Sequence, residues 1–259
     1  MSAANSKRAK YDIDQVQAAL DAEAQLRLEA EDRLRRTAQE FQEFILTAAH
    51  DLREPLRAVS AYSELLARKD NECTESEADQ FRRYILDGTG RIQTLIAGMV
   101  EYATAESDSR DLLRIDMNEV LREAITYANA DSRQRVAVVT RDPLPFVRGD
   151  FEKLVRVIRH LLDNAARYCE KTEPGTHVSS KRDGADWLFI VKDNGPGIDA
   201  AYHKRIFAPF KRLHGRDRAG IGLGLTFCQK AIESHGGRMW VESRPGDGST
   251  FCFTLPVAD

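Results

Sequence analysis

The sequence predicts two kinds of structure in one chain: an α-helical hairpin forming a dimeric four-helix bundle, followed by an α+β two-layer domain. The region from residue 12 to residue 68 contains one proline and no glycine, which favours a long helix. After about residue 110, short β-rich runs alternate with helical runs. Such a mixture buries its apolar faces by packing helices against one sheet.

The composition excludes several classes of protein. Hydrophobic residues make up 42% of the chain and charged residues 31%, as in globular proteins. With 38 Lys and Arg against 41 Asp and Glu, the net charge of −3 argues against a nucleic-acid binder. No membrane span and no secretory signal are expected, so we expect a cytoplasmic location. The four cysteines have no C-x-x-C spacing and are predicted to be free thiols.

The first long helix carries an apolar stripe typical of a helix that packs on a partner. Its members recur with spacings of 4, 3 and 4 at Phe41, Ile45, Ala48 and Leu52. The stripe weakens toward the N-terminus, so a coiled coil and a solvated single helix both remain open for residues 12–31. We expect residues 1–40 to form a signalling helix that receives its input from an upstream sensor domain or another protein.

A second helix is predicted after a polar loop at residues 69–73, with capping-box spacing from Thr74 to Glu77. Its apolar residues are Phe81, Ile85, Ile92, Leu95, Ile96, Met99 and Tyr102. The two helices would form an antiparallel hairpin over residues 41–107. One hairpin buries only one stripe, whereas two copies make a four-helix bundle, so we predict a homodimer.

A charged linker at residues 106–111 precedes the predicted α+β domain, which covers residues 108–259. Strands are predicted at 136–140, 177–180, 187–192, 238–242 and 250–255. Helices are predicted at 117–128, 150–171 and 223–234.

Two glycine-rich segments of this domain are candidates for ligand binding. In the first, Asp193, Gly195 and Gly197 follow a predicted strand. Glycines there allow the backbone to approach a flat ligand, and the carboxylate is able to accept from an amino group. The second precedes a helix and contains Gly220, Gly222, Gly224 and Leu225. Amide N–H groups at a helix start bind anions, although the spacing fits neither a dinucleotide fingerprint nor a P-loop.

A third candidate segment is helical. His160, Asn164 and Arg167 or Tyr168 are spaced to share one helix face. The Asn164 amide oxygen suits Mg²⁺ in company with phosphates and waters. Arg167 would supply positive charge to the phosphates.

His50 is a candidate nucleophile on the first helix. It lies two residues from both Ala48 and Leu52, a rotation of about 200°, so it should point away from the apolar stripe. The neighbouring Asp51 is suited to hold one ring nitrogen and to make the other more nucleophilic. Pro55 removes a helical hydrogen bond and is predicted to kink the helix nearby.

Together, the three segments of the second domain resemble the Bergerat-type ATP site of sensor histidine kinases, Hsp90-like chaperones, type II topoisomerases and MutL proteins. The stretch around Asn164 resembles the N box, residues 193–198 the G1 box, 220–225 the G2 box and 206–210 the kinase F box. This resemblance implies that Asp193 binds the adenine amino group and that Asn164 holds Mg²⁺. It also implies a mobile lid at residues 204–219. Many members have Lys where this chain has Arg167, which keeps the charge but changes its geometry.

The segment from His50 to Leu56 resembles the H box of the HisKA dimerisation and phosphotransfer domain, in the phytochrome-type branch. The resemblance implies a cytoplasmic sensor histidine kinase that transfers phosphate from Mg-ATP to His50, with Asp51 as base or orienting group. The phosphoryl group would then pass to an Asp of a separate response regulator. Glu54 replaces the Thr or Asn that bifunctional members use to orient water, so regulator phosphatase activity is not expected.

Two other functions stay open at this point. The ATPases of this superfamily have a general-base Glu four residues before the N-box Asn, where this chain has His160, so a hydrolytic ATPase is disfavoured. A nucleotide-binding scaffold or pseudokinase would bind ATP without transferring phosphate.

Overall fold

The computed structural model describes residues 2–68, 75–105, 112–131, 137–140, 142–169, 174–213 and 220–258. The chain forms two compact units, residues 1–54 and residues 55–259. The predicted boundaries after residues 40 and 107 remain predictions. The predicted loop at 69–73, the capping residue Thr74 and the linker at 106–111 lie outside the described residues.

Five helices and seven strands are present in the described residues. The helices are α1 (Ser2–Arg68), α2 (Glu75–Ala105), α3 (Met117–Asp131), α4 (Phe151–Tyr168) and α5 (Gly224–Ser234). The strands are β1 (Leu113–Asp116), β2 (Ala137–Thr140), β3 (Phe146–Gly149), β4 (Gly175–Asp183), β5 (Asp186–Asp193), β6 (Met239–Ser243) and β7 (Ser249–Pro256).

Helix α1 continues through Pro55 without ending, and the predicted kink there stays a prediction. In the first unit, Phe44 and Ala48 are buried, whereas Phe41 and Ile45 of the predicted stripe are exposed. An exposed apolar stripe is what a helix retains when its partner belongs to another chain.

The end of α1 and helix α2 form an antiparallel hairpin, as predicted. Val59 lies against Gly88, whereas Tyr62, further along α1, stacks on Phe81 and Tyr84, which come earlier in α2. A Cβ atom on Gly88 would lie 2.6 Å from Val59 Cγ2, so glycine allows this close approach of the helices. The hairpin prediction is therefore confirmed.

One apolar position of α2 departs from the prediction. Ile96 is exposed, whereas its neighbour Leu95 is buried. Residues one apart differ by about 100° around a helix, so the burial of Leu95 within this chain does not require Ile96 to be buried as well.

The second unit contains a five-stranded sheet in the order β2-β4-β5-β7-β6. Strands β2 and β4 are parallel, and the other pairs are antiparallel. All five predicted strands are found there, although Val136 lies outside the described residues. A separate antiparallel pair, β1 and β3, was not predicted because four residues are too few to show a clear alternation.

Helices α3, α4 and α5 pack with this sheet around one apolar core, which confirms the predicted helix-and-sheet domain. Phe189 on β5 and Phe253 on β7 stack at its centre with their rings 5.0 Å apart. Helix α4 ends at Tyr168 and not at the predicted residue 171. The reason is local: Cys169 adopts an extended conformation with φ −68° and ψ 124°, which stops the helix.

Among the described residues, no helix is both long and apolar enough to cross a membrane. Cys169, Cys228 and Cys252 are free thiols, as predicted, and Cys73 lies outside the described part of the chain.

Candidate functional site

A cavity of about 560 Å³ lies in the second unit, between α4, the end of β5, the start of α5 and one side of α2. All ten residues of the second domain that were predicted to bind nucleotide line it. They are Asn164, Arg167, Tyr168, Asp193, Gly195, Gly197, Gly220, Gly222, Gly224 and Leu225. Three segments spread over residues 164–225 therefore meet around one space.

Asp193 is held rigidly at the end of β5. Its Oδ1 accepts hydrogen bonds from the backbone N–H groups of Gly195 at 2.8 Å and Ser249 at 3.0 Å. Burial raises the pKa of this carboxyl, and the two hydrogen bonds oppose the rise without cancelling it. With Oδ1 committed to the backbone, Oδ2 is the oxygen suited to accept from an amino group in the cavity.

Ser249 belongs to the site but was not predicted. It begins β7, lines the cavity and supplies one of the two donors to Asp193. The signal in the sequence was Gly248, immediately before the last strand, since a glycine there allows a close backbone approach.

Two glycines allow the loops beside Asp193 to pack closely. Gly197 has φ +76°, and a Cβ atom on it would lie 1.9 Å from the Arg244 carbonyl oxygen. Gly248 has φ +79°, and its Cβ would lie 2.2 Å from the carbonyl oxygen of Asp193. Only glycine satisfies both the positive φ and the contact distance at these positions.

Helix α4 presents its polar face to the cavity through His160, Asn164 and Arg167. Asp150 caps the N-terminus of this helix, where its side chain accepts from Lys153 N at 3.1 Å. Arg167 reaches the glycine-rich segment, because a Cβ on Gly220 would lie 2.7 Å from its Nη1. The guanidinium and the glycine backbone thus lie side by side at one wall of the cavity.

The start of α5 is suited to bind an anion. Among the described residues, no side-chain hydrogen bond caps its N-terminus, in contrast to α4. Its first amide groups are therefore available to a ligand, and the helix dipole favours negative charge there. Gly222, with φ +78°, shapes the approach to this helix, and its carbonyl accepts from Phe210 N at 2.9 Å.

The segment predicted to be a lid is described only in part. It begins with a short 3₁₀ helix at Arg205–Phe207, in which Ile206 and Phe207 are buried. Lys211 and Arg212 line the cavity and add positive charge that was not predicted. Residues 214–219 lie outside the described residues, and the mobility of the lid stays a prediction.

Another residue that was not predicted, Glu101, enters the cavity from α2. The Glu101 carboxylate lies 2.9 Å from Arg159 Nη2 and 3.1 Å from His160 Nε2. Burial would raise the pKa of Glu101, but the hydrogen bond to His160 and the charges of His160 and two arginines lower it below its usual value. No local pattern points to this group, since it lies 58 positions from Arg159.

His50 belongs to the first unit. Its side chain is 68% exposed, and Nδ1 lies 3.2 Å from Oδ1 of Asp51. The ring therefore points to solvent, in agreement with the prediction from helix geometry. With Nδ1 donating to the carboxylate, Nε2 carries the lone pair.

The described residues contain no cluster of three or more His, Cys, Asp or Glu side chains that would hold a metal ion. The amide of Asn164 fits Mg²⁺ only if a nucleotide's phosphates and waters complete the coordination shell. Mg²⁺ in nucleotide enzymes is typically held in this way, through few protein ligands.

Family models match both parts of the chain. Residues 42–108 match the His Kinase A (phospho-acceptor) domain. Residues 149–259 match the histidine kinase-, DNA gyrase B- and HSP90-like ATPase family. The chain belongs to the histidine kinase family. The resemblance noted in the sequence is confirmed.

Curated relatives include phytochromes of cyanobacteria. This histidine kinase is 38% identical over 229 residues to cyanobacterial phytochrome A of Nostoc sp., which covers 86% of this chain and 29% of that protein. It is 35% identical over 227 residues to the phytochrome-like protein Cph1 of Synechocystis sp., covering 87% of this chain and 30% of that protein. The chain thus spans less than a third of the length of these two relatives.

Among solved structures, the chain is similar to histidine kinase ThkA in a complex with response regulator protein TrrA. The TM-score is 0.68 at 22% identity, covering 86% of this histidine kinase and 64% of that chain. At this identity the likeness establishes the fold, a long helical hairpin followed by an α/β domain.

Proposed function

We propose that this chain is an ATP-dependent protein-histidine kinase that phosphorylates His50 and passes the phosphoryl group to an Asp of a separate response regulator. The observation that carries the proposal is the cavity, which brings a fixed carboxylate, an uncapped helix N-terminus and an Asn-bearing helix face around one space. These are the partners that an adenine, a polyphosphate and a magnesium ion require.

Each element of the cavity has a separate part in binding. Asp193 accepts from the adenine amino group through the oxygen that the backbone does not use. The start of α5, with Gly224 and Leu225, receives the phosphates, and Arg167 adds positive charge beside Gly220. Asn164 and the phosphates together would hold Mg²⁺, which supplies charge neutralisation in phosphoryl transfer.

In the transfer step, His50 Nε2 attacks the γ-phosphorus of ATP, and an N–P bond forms while the bond from phosphorus to the ADP oxygen breaks. The ring proton on Nδ1 moves toward Asp51, which lies 3.2 Å away. The carboxylate also fixes the ring orientation, so that the lone pair on Nε2 faces outward. The products are ADP and a phosphohistidine.

Incubation with γ-labelled ATP and Mg²⁺ tests this function. We expect acid-labile, base-stable label on the protein, and none on His50→Gln, which should still bind ATP. Release of free phosphate without protein label would indicate a hydrolytic ATPase. ATP binding with neither product would indicate the scaffold alternative.

The exposed surface of the hairpin indicates that a second copy of the chain is one of its partners. Its exposed apolar side chains include Leu56, Leu86, Ile96 and Val100. Such a surface is covered when two copies associate, and we propose a homodimer through a four-helix bundle. The ThkA structure named above contains a response regulator, which supports the same class of partner for this chain. Light scattering of the purified chain measures its mass in solution. A mass of twice the 29.2 kDa of one chain would establish the dimer.

A further inference from the structure

The last turns of α2 pack against α4, α5 and the glycine-rich segment through four contacts on one helix face, and two of these contacts, at Gly98 and Glu101, lie at the nucleotide cavity. Gly98 lies against Ile221 and Leu223 of the glycine-rich segment. Glu101 pairs with Arg159 and His160, as described above. In the third contact, the Lys230 ammonium lies over the ring of Tyr102, 4.9 Å from the ring centroid. In the fourth, the carbonyl oxygen of Ala105 accepts a hydrogen bond from the ammonium of the buried Lys153 at 3.2 Å.

The charge at this contact is partly shielded from solvent. The side chains of Glu101, Arg159 and His160 are 24%, 26% and 17% exposed. Ion pairs at this depth are less screened by salt than surface pairs. The ring of His160 also packs edge-on against Phe227 of α5, which adds an apolar contact.

The position of His160 connects this contact to the phosphate end of the cavity. A Cβ on Gly224, the first residue of α5, would lie 3.1 Å from His160 Nδ1. The same imidazole therefore touches Glu101 on one side and the anion-binding helix start on the other. A nucleotide polyphosphate at this helix start would lie close to the Glu101 carboxylate and compete with it for Arg159 and His160.

We propose that the Glu101 carboxylate acts as a latch that holds α2 against the wall of the nucleotide cavity. The polyphosphate of a bound nucleotide opposes this contact. The proposal rests on the function proposed above. In the nucleotide-free chain, Glu101 pairs with Arg159 and His160 and holds α2 in place. The polyphosphate of a bound nucleotide attracts these two side chains and repels the carboxylate, so nucleotide favours release of α2. The coupling between nucleotide binding and release of α2 is reciprocal. A chain in which α2 is held in place therefore binds nucleotide more weakly.

A removable covalent staple tests the latch directly. A Cβ on Gly98 would lie 3.9 Å from Leu223 Cβ, within the range of about 3.5–4.5 Å that disulfides span. The full chain carrying Gly98→Cys and Leu223→Cys is titrated with the ATP analogue AMPPNP, oxidised and then reduced. We expect the oxidised form to bind about fivefold or more weakly than the reduced form of the same protein. The unmodified chain under both conditions controls for its native cysteines.

A charge variant tests the electrostatic part. Glu101→Gln keeps the shape and removes the charge, so it should bind AMPPNP about threefold or more tightly than the unmodified chain. Asp87→Asn, at an exposed position of the same helix, is the matched control and should leave the affinity unchanged.

Two results would overturn the latch while leaving the kinase proposal intact: equal or tighter AMPPNP binding by the oxidised staple, or equal or weaker binding by Glu101→Gln. Weaker binding by Glu101→Gln would show that Glu101 supports the nucleotide site. If no form binds AMPPNP, the proposed function fails, and the latch fails with it.

Discussion

The imidazole of His235, at the end of α5, accepts a hydrogen bond at Nε2 from the backbone N–H of Asp150, 2.9 Å away. Its Nδ1 lies 2.6 Å from the Ala231 carbonyl oxygen and therefore donates to it. Both nitrogens of this buried ring are thus used in the neutral form. The ring joins α5 to the residue that caps α4, and α4 carries the polar face of the nucleotide cavity.

This arrangement predicts loss of stability on acidification. Burial lowers the pKa of His235, and the nearby Lys153 charge adds to the effect. The unfolded chain then binds a proton more readily than the folded one, so stability falls as the pH drops below the ordinary histidine value of about 6.5. We expect His235→Gln to be less stable at pH 7.5 but to lose less stability between pH 7.5 and 5.5.

The measurement is denaturant unfolding followed by tryptophan fluorescence, since Trp187 and Trp240 both lie in the five-stranded sheet. One titrating group accounts for at most about 1.4 kcal/mol per pH unit. His177→Gln, at a half-exposed position of β4, serves as the control. An identical pH dependence for His235→Gln and the unmodified chain would contradict this role.

Asp193→Asn should weaken nucleotide binding by about tenfold or more without unfolding the domain. The side-chain oxygen of Asn is still able to accept hydrogen bonds from the backbone N–H groups of Gly195 and Ser249. Its NH₂ group would then face the adenine amino group, and two donors cannot hydrogen-bond to each other. Asp186→Asn, at the opposite end of the same strand, is the matched control. Calorimetric titration with AMPPNP gives both affinities, and an unchanged affinity for Asp193→Asn would remove this residue from the site.

Asp51→Asn should slow phosphohistidine formation by about 100-fold or more while ATP affinity stays constant. The amide is a poor acceptor for the Nδ1 proton and no longer favours the tautomer with the lone pair on Nε2. Glu43→Gln, exposed on the same helix, tests whether loss of any nearby carboxylate has this effect. The initial rate of acid-labile labelling is the readout; a full rate in Asp51→Asn would exclude Asp51 as base or orienting group.

Gly248→Ala and Gly246→Ala separate backbone strain from loss of space. Both glycines have positive φ, +79° and +90°, so alanine costs about 1–2 kcal/mol at either position. Only at Gly248 would the new Cβ also collide with the backbone of Asp193, since no heavy atom lies within 4 Å at Gly246. We therefore expect Gly248→Ala to lose more stability and to bind AMPPNP more weakly. Equal behaviour of the two variants, in unfolding and in titration, would contradict this contact.

Much of this protein was readable from local patterns. The long helix around His50, the five strands of the main sheet and the helix that carries Asn164 all show periodicity or turn residues within short windows. The exposure of His50 was predicted because this residue lies two positions from both Ala48 and Leu52 of the apolar stripe. Such features depend on neighbours in sequence, so packing did not have to be known.

Contacts between distant segments had no such signal. Ser249 reaches Asp193 across 56 positions, and Glu101 reaches His160 across 59. The β1 and β3 pair also escaped prediction because neither strand is long enough to show a period. These features exist only once helices and strands have packed, because a hydrogen bond between remote residues depends on where both backbones run. Local chemistry thus established the family and the candidate groups, whereas packing established which groups share the cavity and that α2 contributes a charge to it.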